Sequence, residues 1–225
     1  MLRMYDDEVA RARSYDDACG IARALDVIGE RWALLIVREL ILGPKRFTDL
    51  QAGLRRVSPD VLSQRLRELE AAGVIERRTL PPPAASRVYE LTARGRALEP
   101  ALHALGRFGS REPMPGGDPV LGTDAAMVAL PSLFDAGRAG DLDATYELDL
   151  DGDEFVAGVA GGRLTRERGR APAADAVIAT DPGTLAQILW HERPLRDAIA
   201  AGEATVAGDR RALDRFLRLF PLPAG

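Results

Sequence analysis

Apolar residues recur at helical spacing through the first half of the chain and alternate with polar ones over parts of the second. Cys19 to Ile28 reads as a helix with Ile21, Leu25 and Ile28 on one side, stopped by Gly29. Arg31 to Leu42 follows. Its apolar residues (Trp32, Leu34, Leu35, Ile36, Val37, Leu40, Ile41) surround it almost completely, which predicts a helix buried in a small core, ended by Gly43-Pro44. Phe47, Leu50 and Leu54 mark a short helix, and Arg55-Arg56-Val57 a break. Ser58-Pro59 then suits the N-cap and first position of a helix running to Ala72, with Leu62, Leu66 and Leu69 at i, i+4 and i+7 and Gly73 as its stop. Residues 74–80 and 87–91 pair as two strands across the proline-rich 81–86. Thr92 caps a last helix bearing Leu98, Ala101, Leu102, Leu105 and Phe108, which Pro100 kinks. Short helix, turn, capped helix and basic hairpin is the order of a winged helix-turn-helix.

Prolines and glycines from Glu112 to Pro119 deny any regular element and divide the chain into 1–111, a linker 112–122, and 123–225. Beyond them strands are expected first and helices after. Tyr146, Leu148 and Leu150 alternate with Thr145, Glu147 and Asp149, Asp151-Gly152-Asp153 turns, and Phe155, Ala157 and Val159 resume the alternation. Gly161-Gly162 leads into 164–170, polar on both faces like an edge strand, and Val177-Ile178 gives a further strand. Asp181-Pro182 starts a helix with Leu185, Ile188 and Leu189. Leu195, Ile199 and Ala200 mark another, 204–206 returns to the sheet, and Asp209 caps a last helix with Leu213, Phe216, Leu217 and Phe220. The fold class is a multi-domain α+β protein.

The net charge of −4 conceals an asymmetry. Residues 1–112 carry 19 Lys/Arg against 16 Asp/Glu, residues 113–225 carry 11 against 18, and Lys45 to Arg96 alone holds 11 basic and 6 acidic residues. Such a local excess is what phosphate binding needs. One cysteine and two histidines exclude a disulfide framework and leave too few ligands for a zinc site. No run of about 18 apolar residues predicts a membrane span. The first residues hold no apolar signal segment, so a cytoplasmic protein is expected. No nucleophile, acid–base pair or metal cluster stands out, and neither an enzyme nor a cofactor is expected.

At 100° per residue, Leu62, Leu66 and Leu69 share a stripe facing the core while Asp60, Gln64 and Arg67 lie nearly opposite, with Ser63 on a flank. A recognition helix puts that outer face into the major groove. Glutamine pairs with adenine through two bonds and arginine with guanine at O6 and N7, so Gln64 and Arg67 are assigned to base edges. Asp60 repels phosphate but can accept from cytosine N4. Ser58, Pro59 and Ser63 suit phosphate or base contacts at the leading end of the helix. Lys45, Arg46, Arg55 and Arg56 suit phosphate positioning, and Arg77, Arg78 and Arg87 on the hairpin stem suit the adjacent backbone or minor groove. The plain alternative is that these are ordinary solvated charges.

In Cys19, Ala22, Leu25, Gly29, the runs 31–36 and 38–40, Gly43-Pro44-Lys45-Arg46-Phe47, 62–69, Gly73 and Tyr89-Glu90-Leu91-Thr92, the chain resembles the HxlR-type winged-helix regulators of bacteria. The resemblance implies homodimers joined through terminal helices and binding to inverted repeats in double-stranded DNA. Phe108 stands where the family usually has tryptophan, and the triple-proline tip makes a stiff wing. Some members sense oxidants through a cysteine at the position of Cys19. A helix N-terminus favours the thiolate and Asp16 and Asp17 oppose it. With no second cysteine, only an intersubunit disulfide or a capped thiol would serve. Alternatively Cys19 is a small residue packed near the dimer interface.

Ala179-Thr180-Asp181-Pro182, Leu185, Ala198, Gly202, Ala204, Val206, Gly208-Asp209, Leu213 and Phe216-Leu217 resemble the sterol-carrier-protein type-two fold. That resemblance implies a five-stranded sheet with helices around an apolar tunnel for lipid-like ligands. Leu189, Trp190, Ile199, Phe216 and Phe220 are candidate tunnel residues or simply core, and His191 a possible polar handle. The expectation is a dimeric regulator whose second domain binds a hydrophobic small molecule and shifts DNA affinity. The alternatives are a Cys19 redox regulator with a purely structural second domain, and a lipid-binding protein with a vestigial DNA-binding half.

Overall fold

The structure, a computed structural model, describes residues 14–114, 116 and 120–223. Expectations for the first 13 residues, and part of the proline–glycine stretch, lie outside these. The chain divides into two compact units, one up to Glu99 and one from Pro100 onward.

The first unit holds α1 (Gly20–Ile28), α2 (Ala33–Leu40), α3 (Phe47–Gly53), α4 (Pro59–Ala71), the antiparallel hairpin of β1 (Ile75–Thr79) and β2 (Arg87–Leu91), and α5 (Ala93–Arg96). Ile36, Val37, Leu40, Leu50, Leu62, Leu66, Leu69, Val74 and Ile75 are almost wholly buried and form its core. Each such side chain contributes roughly 1.5–3 kcal/mol by leaving water. The all-round burial expected for residues 31–42 is not found. The helix is shorter at both ends, Leu34 is half-buried, and Leu35 is 38% exposed. Trp32 precedes α2 in the left-handed region at φ 80°, its ring under the Arg31 guanidinium at 5.2 Å.

Thr92 caps as expected, its Oγ1 accepting from Gly95 N at 3.2 Å. The helix it starts stops after one turn. Pro100 lacks an N–H and its ring crowds the carbonyl four residues back, so the expected kink is a full break before α6 (Glu99–Gly109). A side chain at Gly95 would collide with the Val74 carbonyl, which is how closely this turn sits against the hairpin base.

In the second unit, two helices precede the sheet, α7 (Thr123–Leu133) and α8 (Ala136–Ala139), contrary to the expectation of strands first. Residues 124–128, 130, 132 and 133 of α7 are all buried, so no amphipathic stripe betrays it, and Pro131 reads as a breaker though it is carried inside. From Pro100 on, α6 makes contacts within this unit. Arg107 Nε donates to Ser132 O at 3.0 Å, and a Cβ at Gly106 would lie 2.6 Å from Ser132 Oγ.

The sheet has five strands in the order β5-β4-β3-β6-β7: β3 (Ala144–Leu150), β4 (Asp153–Ala160), β5 (Arg163–Arg168), β6 (Ala176–Thr180) and β7 (Ala204–Gly208). Neighbours are antiparallel except β3 and β6, which are parallel. Asp151 and Gly152, at φ 55° and 86°, make the expected tight turn, and β5 is the expected edge. Tyr146, Leu148, Leu150, Phe155, Ala157, Val159 and Ile178 are buried on one face. Asp181 caps α9 (Pro182–Trp190), α10 (Leu195–Ala200) follows, and Asp209 caps α11 (Arg210–Leu217). Phe220, expected on that last helix, lies beyond it and is buried nonetheless.

An ionic cluster ties the edge strand to α7 and β4. Arg168 donates from Nη2 to both oxygens of the buried Asp124 (2.6 and 2.7 Å) and from Nη1 to Asp153 (3.2 Å), while its guanidinium lies 4.8 Å from the Phe155 ring centre.

Candidate nucleic-acid interface

Helix α4 begins as its sequence demands. Ser58 Oγ accepts from Val61 N at 3.4 Å and Pro59 occupies the first turn. Leu62, Leu66 and Leu69 are at most 1% exposed, so the opposite face is forced outward. Asp60 and Arg67 are exposed on it, and Ser63 is half-buried on its flank. Gln64 is also half-buried, because its Nε2 donates to Glu68 Oε1 at 3.1 Å.

Two residues beside this face escaped the sequence reading. Arg65 is only 8% exposed. It pairs with the Glu68 carboxylate and, through Nη2 at 3.3 Å, with Glu30 in the turn between α1 and α2. The i,i+3 spacing of Arg65 and Glu68 was visible in the sequence; the third member, Glu30, was not.

The basic candidates divide into two sets. Arg46, Arg55, Arg56, Arg67 and Arg87 are exposed, and among the described residues none has an ion-pair partner. The others are engaged. Arg77 pairs with Glu70 at 3.0 Å and lies over the Tyr89 ring, and Arg78 pairs with Glu90 at 3.2 Å.

Lys45 is withdrawn furthest from solvent, its side chain 12% exposed and its Nζ 2.6 Å from Glu39 Oε2. Glu39, 2% exposed, also accepts from Arg38 Nη2 at 2.7 Å, and a side chain at Gly53 would strike its carboxylate. Burial pushes the Glu39 pKa up, but the charges and hydrogen bonds of Lys45 and Arg38 outweigh it and hold the carboxyl below its usual value. The Lys45 backbone meanwhile exchanges both hydrogen bonds with Tyr89 (3.0 and 2.8 Å), tying the entry of α3 to the wing. Lys45 is thereby engaged in the internal frame, a pairing the sequence did not reveal.

Cys19 is exposed at the start of α1, its backbone N donating to Asp17 Oδ1 at 2.8 Å. In the second unit Phe216 and Phe220 come together with rings 5.0 Å apart, and Phe216 stacks on Tyr146 at 4.4 Å. Both are fully buried core residues. Leu189, Trp190 and Ile199 are half-buried and His191 is exposed. The Trp190 indole N–H is buried without a hydrogen-bond partner among the described residues. Among those residues no helix is long and apolar enough to cross a membrane, and no group of three or more acidic, His or Cys side chains is placed to hold a metal ion.

Residues 27–115 match the HxlR-like helix-turn-helix family, and residues 129–224 match the alkyl sulfatase C-terminal family. The HTH-type transcriptional regulator YvaP of Bacillus subtilis is 40% identical over 86 residues, which are 38% of this chain and 80% of YvaP. YodB, another HTH-type transcriptional regulator of Bacillus subtilis, is 33% identical over 93 residues, 41% of this chain and 83% of YodB. The structure of reduced YodB superposes with a TM-score of 0.39 at 31% identity, over 45% of this chain and all of that one. With its capped α4, its wing and this identity across four-fifths of a relative, the chain belongs to the HxlR-like helix-turn-helix family of transcriptional regulators.

Proposed function

We propose that this protein binds inverted-repeat duplex DNA as a homodimer, with α4 in the major groove, and that a hydrophobic small molecule bound by the second unit modulates its affinity. The observation that carries the DNA-binding reading is the outer face of α4, where the Arg67 guanidinium is exposed without an ion-pair partner among the described residues. Gln64 and Arg67 read base edges, while Ser58, Pro59 and Ser63 meet the backbone at the leading end of the helix. Arg46, Arg55, Arg56 and Arg87 neutralise phosphates. Arg77 and Arg78 reach DNA only by giving up Glu70 and Glu90, and Lys45 contributes through the frame. Dimerisation is supported by apolar side chains left in solvent, Ile21 (73%) and Leu25 (41%) on α1 and Leu105 (50%) and Phe108 (67%) on α6. Arg67→Glu abolishes specific binding to a selected duplex while the variant remains a folded dimer; unchanged affinity sinks the assignment.

For the second unit the reading is a sterol-carrier-like domain. The mixed five-stranded sheet supports it, and so does the buried Trp190 N–H, which has no hydrogen-bond partner among the described residues. Leu189, Trp190 and Ile199 remain its candidate ligand contacts, and Phe216 and Phe220 are assigned to the core. Such a ligand shifts DNA affinity only if it binds the two affinity states unequally. Titration with a fatty acid or a hydrophobic dye, read by Trp190 fluorescence in a Trp32→Phe background, tests it; an unperturbed signal removes the ligand. One observation favours a second reading, with Cys19 as a thiol switch: its side chain is exposed. A Cys19→Ser variant whose DNA binding still responds to diamide rules that out.

A further inference from the structure

We propose that Glu68 is a positioning residue that sets the base preference of Gln64 by fixing which way its amide points; this rests on the reading of α4 as the recognition helix. At pH 7 a carboxylate offers only acceptors, so the amide side facing Glu68 has to be the donor, Nε2, as the 3.1 Å bond shows. The reversed amide would set its carbonyl oxygen against a carboxylate oxygen. Glu68 is itself fixed, because its other oxygen is held by Arg65, and the mostly buried Arg65 is held in turn by Glu30 at 3.3 Å. The chain Glu30–Arg65–Glu68 thus ends on the Gln64 amide and leaves Oε1 and the second N–H of Nε2 for the groove.

One outward acceptor beside one outward donor matches adenine, whose major-groove edge offers the N6 donor and the N7 acceptor. Guanine offers acceptors at both O6 and N7, and a fixed outward Oε1 opposes O6. A free glutamine evades that clash by turning its NH2 group outward. Without Glu68, then, Gln64 tolerates guanine as well as adenine.

The test uses the full-length protein on a randomised duplex library, followed by affinities for all four base pairs at each selected position. Gln64→Ala locates the position this residue reads. Glu68→Ala and Glu68→Gln each reduce the adenine-over-guanine preference at that position about three- to tenfold, the range expected when one flexible side chain loses its fixed rotamer. Preferences elsewhere stay unchanged. Glutamine at 68 fails like alanine because an amide accepts or donates equally well, yet it keeps an oxygen for Arg65 and so preserves the fold. An unchanged preference in the Glu68 variants, at a position that Gln64→Ala erases, overturns the proposal, as does an equal flattening at every position. If Gln64→Ala alters no position, the assignment of Gln64 to the reading head itself falls.

Discussion

Replacing Glu39 with glutamine removes one charge from the least exposed ionic cluster among the described residues of the first unit and changes almost no volume. Taking one partner from a buried pair costs about 3–5 kcal/mol when the other charge stays buried. Here the side chains of Lys45 and Arg38 are 12% and 25% exposed, so both partly rehydrate, and the expected loss is about 2–3 kcal/mol. Urea unfolding measures it. The chain has two tryptophans, Trp32 in the first unit and Trp190 in the second, so a Trp190→Phe background makes fluorescence report the first unit alone. The difference also has a predicted pH profile. Because the native Glu39 carboxyl titrates below its ordinary value of 4.5, its stabilisation is complete above that pH and fades as pH falls through the lowered native value. The wild type and Glu39→Gln therefore converge only in acid. A loss below about 0.5 kcal/mol at neutral pH, the range of surface pairs, refutes the reasoning. So does a difference that does not narrow in acid.

Lys45→Met lowers the stability of the same unit by about 2 kcal/mol but leaves the salt slope of DNA binding unchanged. Arg46→Ala, which removes one phosphate contact from each protomer of the bound dimer, reduces that slope by about 1.8 with little effect on stability; the opposite pattern returns Lys45 to the phosphate contacts. In the second unit, Asp124→Asn breaks the two-bond grip of Arg168 on a buried carboxylate. With Arg168 35% exposed the cost is about 1–3 kcal/mol, read by Trp190 in a Trp32→Phe background, and a neutral result makes the cluster incidental.

The course of the chain through the first unit was legible because its signals are local. Ser58-Pro59, Gly73, Thr92 and the proline-rich tip each act on their own turn, and the Leu62–Leu66–Leu69 stripe by itself decides which residues of α4 face out. In the second unit the same held for the Asp151-Gly152 turn and the Asp181 and Asp209 caps. It failed for α7, since a helix buried on nearly all sides has no stripe and Pro131 argues against it. It failed again at Phe220, whose spacing continues the helical pattern past the point where the backbone leaves it.

What the sequence by itself determined was the kind of protein and the course of the helix proposed to read DNA, because caps, stops and periodicity involve neighbours within about one turn. What only the tertiary structure decided was how each charged group is used. Lys45 and Arg46 are adjacent and chemically alike, yet one is drawn in against the buried Glu39 and the other is exposed. Likewise the partner that completes the grip on Glu68 and Gln64 is Glu30, some 35 residues from Arg65 along the chain and 3.3 Å from it in space. Pairing of that kind depends on which surfaces the core brings together, and no local pattern of residue types encodes it.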